Sequence, residues 1–298
     1  MLAGMAEAKQ FGAYRVLERL HAGGMATVFL AERGGERVAL KIVHSKYGED
    51  ATFRRMLFEE ARVASRVAHP NVVRLLEVGS HAGTAFLAME YVDGADLAQV
   101  LDARSEPLPI DAAVAIAIAA AEGLHAAHEA TDEDGSPLEL VHRDVSPGNV
   151  MVARDGAIRL IDFGVARARG RAIKTSAGTL KGKFSYMSPE QVSGQELDRR
   201  TDVYALSIVL WECLTGRRYL DARHEVEILM LARHPRPSPP SALRAGVPAA
   251  LDAAVLRGLA PRAAERFESA AAFRDALRGA LPSARDVPAT TVGALVPR

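Results

Sequence analysis

Cysteine occurs once in the 298 residues, at Cys213, so no disulfide can form within the chain, as suits a reducing compartment. Its setting, the apolar run Val209-Leu210-Trp211-Glu212-Cys213-Leu214, points to a buried, inert thiol rather than a reactive one. Aromatic residues make up only 5% of the chain, so a core must be filled chiefly by Ala, Leu and Val. Excess charge is missing too. The 37 basic and 37 acidic residues cancel, which gives no reason to expect a nucleic-acid partner. No apolar stretch approaches the ~18 uncharged residues that a membrane-spanning helix needs. The nearest, Ala112 to Ala121, is short and alanine-rich and reads as a buried helix. Residues 1–10 carry Glu7 and Lys9 and lack the apolar centre of a signal peptide. The expectation is a cytoplasmic chain with no membrane contact of its own.

What is present is a globular composition, 49% hydrophobic and 25% charged, over a length that suits one large domain or two lobes. Residues 11–89 read as strands with one helix. Tyr14 to Glu18 alternates, Gly23-Gly24 marks a turn, and Ala26 to Ala31 is β-prone. Gly34-Gly35 supplies a hairpin turn before Arg37 to Val43. Helical spacing from Thr52 to Ala68 puts Phe53, Leu57, Ala61 and Ala64 on one face, and His69-Pro70-Asn71 ends it. Two further strands are expected near 72–78 and 85–91. Asp93-Gly94 breaks the pattern, and beyond Leu97 the chain is mainly helical. A long helix is expected from Asp111 to about Ala130, a second over 201–215, and shorter ones near 223–233, 248–259 and 269–281. Thr131 to Pro137 reads as a polar, turn-rich insertion, and Pro235 to Pro248 as an ordered surface loop with five prolines. The expected organisation is an extension at 1–10, a small lobe at 11–89, a hinge at 90–94, a large lobe at 95–281 and a mobile tail at 282–298. No internal repeat interrupts it.

Chemistry concentrates in His142-Arg143-Asp144-Val145-Ser146-Pro147-Gly148-Asn149, which sets a carboxylate five residues before an amide on a loop entering Val150-Met151-Val152. The carboxylate of Asp144 can accept a hydroxyl proton, and the amide oxygen of Asn149 can ligate a hard cation such as magnesium. Thirteen residues after Asn149 comes Asp162-Phe163-Gly164, and upstream lies Val38-Ala39-Leu40-Lys41. In that order the three pieces form the signature set of a protein kinase. The chain resembles the bacterial Hanks-type (eukaryotic-like) serine/threonine kinases over almost its whole length. The resemblance implies an α+β, bilobal protein-kinase fold, with a small β-rich N-lobe carrying one main helix and a larger, mostly helical C-lobe. It implies ATP- and magnesium-dependent phosphoryl transfer to Ser/Thr hydroxyls of protein substrates, with two magnesium ions as the upper number. A homodimer is the candidate assembly for trans-autophosphorylation. Many relatives continue into a membrane anchor and sensor, so the chain also reads as a fragment of such a protein.

The same resemblance assigns roles to residues. A lone ammonium at the end of an apolar strand is costly unless paired; the kinase pattern pairs Lys41 with Glu60 of the helix and with the α/β-phosphates. Asp162 and Asn149 become the metal ligands and Asp144 the catalytic base or orienter. Arg143 becomes the reader of a phosphate in the activation loop 165–187, where Thr175, Ser176 and Thr179 are candidate autophosphorylation sites, against the plainer reading of solvated hydroxyls. Adenine is expected between Val28 and Ala39 above and Met151 below, with Met89 as gatekeeper and the backbone of Glu90, Tyr91 and Val92 along the base edge. Asp96 falls at the ribose, and Leu20, Gly23 and Gly24 complete the nucleotide set. Ser188-Pro189-Glu190 stands for the end of the activation segment, with Arg266 as the buried partner of Glu190 and Asp202 as the cap of the catalytic loop. His125 and His128 sit at helical spacing without a third ligand nearby, and packing is the reading preferred to a metal.

Departures from the family pattern accompany these matches. The glycine-rich loop reads His21-Ala22-Gly23-Gly24-Met25-Ala26, with only the middle family glycine kept and His21 near the ribose edge. Gly148 replaces an acid common in kinases that favour basic substrates. Ser146 stands where serine/threonine members carry lysine, and Lys183 where they carry threonine. Two readings stay open: an exchanged pair, with Ser146 giving the hydroxyl and Lys183 the ammonium, or two unrelated substitutions in a weak kinase. The rival functions are a nucleotide-binding pseudokinase scaffold and a small-molecule kinase of the aminoglycoside or choline type. The second lacks the segment Tyr186-Met187-Ser188-Pro189-Glu190-Gln191.

Overall fold

The alternating strands before residue 90 fold into a six-stranded antiparallel sheet of order β1-β2-β3-β4-β6-β5. It is seen in a computed structural model that describes residues 9–44, 47, 51–163, 184–222 and 224–297, apart from the side chains of 9, 51, 53 and 60. The strands are β1 (Lys9–Phe11), β2 (Tyr14–Ala22), β3 (Ala26–Arg33), β4 (Glu36–Val43), β5 (Leu75–His81) and β6 (Thr84–Glu90). Residues 9 and 10, expected in an extension, instead pair with β2, where Lys9 opposes Val16.

A two-residue period splits the sheet into faces. Tyr14, Ala31, Val38, Leu40, Phe86 and Ala88 form one buried cluster. Val43, Ala85 and Leu87 form another, beneath Leu57 and Ala61 of helix α1 (Ala51–Ala64). Helix α1 stops four residues short of the sequence expectation, and Ser65 to Val67 continue it only as turns. On the face covered by α1, register carries the side chains from Val43 through Lys41 to Ala39 along β4, opposite Leu87 and Met89 of β6. The same face thus runs from a covered end to the cleft between the lobes.

Glu90 leads through the hinge to a three-stranded sheet of β7 (Gly94–Asp96), β8 (Val150–Ala153) and β9 (Ile158–Leu160). Gly94 is required there, since a Cβ would sit 2.1 Å from the Val152 carbonyl oxygen. Helix α2 (Leu97–Asp102) follows, and then the long α3 (Ile110–His128). Helix α3 is long and apolar enough to cross a membrane by length and composition, contrary to the sequence expectation, yet 61% of its apolar window is buried in the fold. It packs on α5 (Arg200–Thr215), which follows the one-turn α4 (Pro189–Val192). Every residue of α5 from Thr201 to Thr215 is buried, Asp202 and Glu212 included. Cys213 lies inside it, and burial pushes its thiol pKa up, so the thiol is held protonated. Helices α6 (Glu225–Arg233), α7 (Ala249–Gly258) and α8 (Ala270–Ala280) complete the large lobe. The proline-rich loop is ordered, with its Ser238 carbonyl accepting from Trp211 Nε1 at 2.9 Å.

The expected mobile tail is not one. Residues 282–286 form a 3-10 turn and α9 (Ala289–Gly293) a short helix, while Ala284, Val292, Leu295 and Val296 join the main core. The segment crosses the β8–β9 turn at backbone contact. A Cβ on Gly156 (φ +87°) would meet the Ala289 carbonyl oxygen at 2.1 Å, and one on Gly293 the Arg154 carbonyl oxygen at 2.2 Å. Such a contact depends on two glycines and no long periodic helix, so hydrophobic periodicity does not reveal it.

Candidate active site

The loop carrying Asp144 is held from beneath by a buried carboxylate. Asp202, in the first turn of α5, accepts the main-chain amides of His142 and Arg143, each at 2.8 Å. It also meets His128 Nε2 at 2.8 Å, which gives that histidine a partner within the fold. Burial pushes the Asp202 pKa up, but the His128 bond, the two histidines and the Arg143 amide outweigh it and hold it below the usual range. Arg143 takes φ +65°, a left-handed conformation that costs a non-glycine residue about 1–2 kcal/mol and persists only where neighbours fix it. The His142 ring extends the scaffold. Its Nδ1 accepts the Asp144 amide at 3.3 Å, so Nε2 carries the proton donated to the Ile161 carbonyl at 3.0 Å. Its face lies 4.5 Å from the Phe163 ring centroid. The residues on either side of Asp162 are thereby tied to the Asp144 loop.

Across the cleft, Lys41 Nζ of β4 reaches Asp162 Oδ1 at 2.5 Å. Both side chains are largely buried, at 8% and 15% exposure, so the pair sits where its attraction is weakly screened. Asp162 also adopts a left-handed backbone, φ +64°. Asn149 donates Nδ2 to the Asp144 carbonyl at 2.6 Å, which orients its amide oxygen away from that bond. Ser146 stands just before the 3-10 turn Pro147–Asn149, and its carbonyl accepts the Asn149 amide at 2.9 Å. Asp144, Asn149, Asp162 and Lys41 thus come together from sequence positions 121 apart at the extreme. The side chain of Glu60 and the whole of Lys183, Thr175, Ser176 and Thr179 lie outside the described residues.

The expected nucleotide residues line the inner face of the small lobe and the hairpin below it. Val28 opposes Lys41, and Ala39 opposes Met89, while Met151 opposes Asp96 in the lower sheet. Val28, Ala39, Met89, Met151 and Asp96 are half-buried, whereas Val38 and Leu40 on the other face are fully buried, so the first set is accessible to a ligand. Leu20 on β2 is 40% exposed. Gly23 donates its amide to the Ala26 carbonyl at 2.9 Å and closes the turn that carries Gly24. In the hinge the Glu90 amide is taken by the Arg74 carbonyl, while Tyr91 is half-buried and Val92 buried. Asp96 caps α2, accepting from Gln99 N at 2.8 Å. Burial raises its pKa, and His21 is close enough to pull it the other way. Two surface cavities, of ≈ 470 Å³ beside α4 and ≈ 580 Å³ beneath α9, lie away from this cleft.

The model of the protein kinase domain family matches residues 14–239. The chain belongs to the protein kinase family. Its similarity to the bacterial Hanks-type branch is specific. The tyrosine-protein kinase MasK of Myxococcus xanthus is 38% identical over 275 residues, 90% of this chain and 43% of that protein. The serine/threonine-protein kinase PknD of Mycobacterium tuberculosis is 40% identical over 287 residues, 95% of this chain and 42% of that protein. The chain therefore spans less than half the length of these two relatives. The crystal structure of the M. tuberculosis PknI kinase domain superposes with a TM-score of 0.73 at 31% identity, covering 94% of this chain and 100% of that one.

Within this kinase domain the end of the segment before α4 is anchored as the sequence leads one to expect. Glu190 pairs with Arg266 at 2.7 Å. Two residues not singled out from sequence also shape the site. His142 links the catalytic loop to Asp162 as described above. Gln191 donates Nε2 to the Arg143 carbonyl at 2.9 Å. In sequence Gln191 only closes the segment Tyr186 to Gln191; in the structure it also forms a capping box with Ser188.

Proposed function

We propose that this kinase domain transfers the γ-phosphoryl group of ATP to a protein hydroxyl. The observation that carries the reading is the Lys41–Asp162 contact at 2.5 Å, which brings a small-lobe cation and a large-lobe carboxylate to the mouth where Asp144 and Asn149 meet. In the reaction the bond from γ-phosphorus to the β-phosphate bridging oxygen breaks as one to the substrate oxygen forms. The substrate proton passes to the Asp144 carboxylate. Lys41 holds the α/β-phosphates, with Glu60 as its proposed second partner. Adenine lies among Val28, Ala39, Met89 and Met151, roofed by Leu20, Gly23 and Gly24. The base edge lies along Glu90 to Val92, whose Val92 amide donates to no backbone carbonyl among the described residues. Asp96 accepts from the ribose.

The Asn149 amide oxygen and the Asp162 carboxylate are hard oxygen donors of the kind magnesium takes, and they would hold it here. The chemistry it would supply is neutralisation of phosphate charge during transfer. The exchange of Ser146 and Lys183 is part of this proposal. Turnover of Lys183→Thr, Ser146→Lys and the double variant tests it, since independent substitutions give additive losses.

Serine or threonine is the acceptor class in the name of PknD, and tyrosine the one in the name of MasK. We assign Ser/Thr, with autophosphorylation within 165–187 in a homodimer and a cytoplasmic setting. Mass spectrometry after incubation with ATP and magnesium reads residue type and position directly. Phosphotyrosine alone overturns the acceptor assignment, and no phosphate on any hydroxyl favours the nucleotide-binding scaffold.

A further inference from the structure

The backbone around Asp144 is fixed by bonds on both sides of Arg143. The Arg143 amide donates to Asp202 Oδ1 at 2.8 Å, and the Arg143 carbonyl accepts from Gln191 Nε2 at 2.9 Å. That carbonyl shares a peptide plane with the Asp144 amide, which donates to His142 Nδ1 at 3.3 Å. One end of this plane is thus held by Gln191 and the other by His142. Arg143 itself sits at φ +65°, so the plane lies in an orientation that an unrestrained non-glycine residue avoids. Releasing its carbonyl frees ψ of Arg143 and φ of Asp144, the torsions that set how the Asp144 side chain is presented.

The other end of the Gln191 amide is also occupied. Its Oε1 accepts from the Ser188 amide at 2.9 Å and lies 3.3 Å from Ser188 Oγ. Ser188 is fully buried, so the acceptor end is anchored in packed structure. A side chain with a donor on one arm and an acceptor on the other is needed to hold both contacts, and among uncharged residues of this length only glutamine has them.

We propose that Gln191 is a positioning residue for phosphoryl transfer: it holds the Arg143–Asp144 peptide so that the Asp144 carboxylate is aimed at the substrate hydroxyl. This role rests on the kinase reading above. Its donor arm sets catalysis, and its acceptor arm caps α4.

Two substitutions separate the arms. Gln191→Glu keeps an acceptor for the Ser188 amide and loses the donor to the Arg143 carbonyl. Gln191→Lys keeps a donor and loses the acceptor. Steady-state kinetics and thermal melts are measured on both beside the wild type. For Gln191→Glu the expected result is a kcat lower by about 10- to 100-fold, a KM for ATP within about twofold and a near-native Tm. For Gln191→Lys it is a lower Tm with kcat within a few-fold of wild type. If kcat instead tracks Tm, falling with lysine and holding with glutamate, Gln191 is a helix cap alone and the proposal is wrong. A wild-type chain that phosphorylates nothing overturns the kinase reading and this role together. An active wild type with an unaltered Gln191→Glu overturns this role alone.

Discussion

Arg266 grips both carboxylate oxygens of Glu190, Nη1 at 2.7 Å and Nη2 at 2.8 Å, across 76 positions of sequence. Its other hydrogens go to the carbonyls of Ala260, Pro261 and Arg200, and its guanidinium lies 4.6 Å from the Tyr204 ring centroid. Such a bidentate pair is strong because every donor of the buried cation is used. Removing one partner strands the other charge. Arg266→Ala is therefore expected to lower stability by about 3–5 kcal/mol, read from urea denaturation.

The same pair makes a pH prediction. Burial alone raises the Glu190 pKa, but the bonds and charge of Arg266 bring it down from the usual 4.5 to about 2. A depressed carboxylate stabilises the fold above its unfolded pKa, and that stability is lost as pH falls toward the folded value. The window is pH 4.5 down to about 2, and the loss is roughly 3 kcal/mol. Urea midpoints measured across this window should fall more steeply for wild type than for Glu190→Gln.

Asp202 is expected to matter for rate more than for nucleotide affinity. Asp202→Asn leaves only one oxygen for the two amides of His142 and Arg143 and turns an N–H toward the other. The expected result is a kcat lower by about 100-fold, with KM for ATP little changed. Steady-state kinetics at saturating protein substrate give the split.

Asp96 caps a helix and is proposed to hold the ribose, two duties that substitutions can divide. Its side chain caps α2 within a reciprocal capping box with Gln99. Asp96→Ala should cost about 1 kcal/mol of stability through the lost cap, while Asp96→Asn keeps it. With a ribose bond lost as well, ATP binding by calorimetry should weaken about tenfold in Asp96→Ala.

The C-terminal segment should be indispensable to the fold. Deleting residues 282–298 uncovers the main core at Val292, Leu295 and Val296, each contributing about 1.5–3 kcal/mol when fully buried. A strongly lowered Tm is expected. A milder probe is Gly293→Ala, whose Cβ would lie 2.2 Å from the Arg154 carbonyl oxygen, so backbone must shift to admit it.

How much of this was legible in sequence depended on whether order came from local pattern or long-range contact. Alternation from Tyr14 to Glu18, the β-prone run from Ala26 to Ala31 and the Gly34-Gly35 turn, where Arg33 opposes Glu36, located the sheet. Helix α5 was legible as a second strong helix, though not the burial of Asp202 and Glu212 within it. Asp144, Asn149 and Asp162 were legible through their spacing, and the partners of Glu190 and Asp202 through the family resemblance. The C-terminal segment was not legible, because its burial comes from Gly156 and Gly293 admitting two backbones to contact. Nor was the bond of Gln191 to the Arg143 carbonyl, because it joins residues 48 positions apart. The 2.5 Å meeting of Lys41 with Asp162 joins two motifs that sequence reading keeps separate.

The central claim is that Asp144, Asn149, Asp162 and Lys41 form one phosphoryl-transfer centre. Its most direct test is phosphate incorporation from labelled ATP, with and without magnesium, into wild type and Asp144→Asn. Asp144→Asn preserves shape while removing the proton acceptor. The account predicts magnesium-dependent incorporation by wild type and a loss of about 100-fold or more in Asp144→Asn, with ATP binding retained. Equal incorporation by the two proteins, or none by the wild type while it still binds ATP, would contradict it.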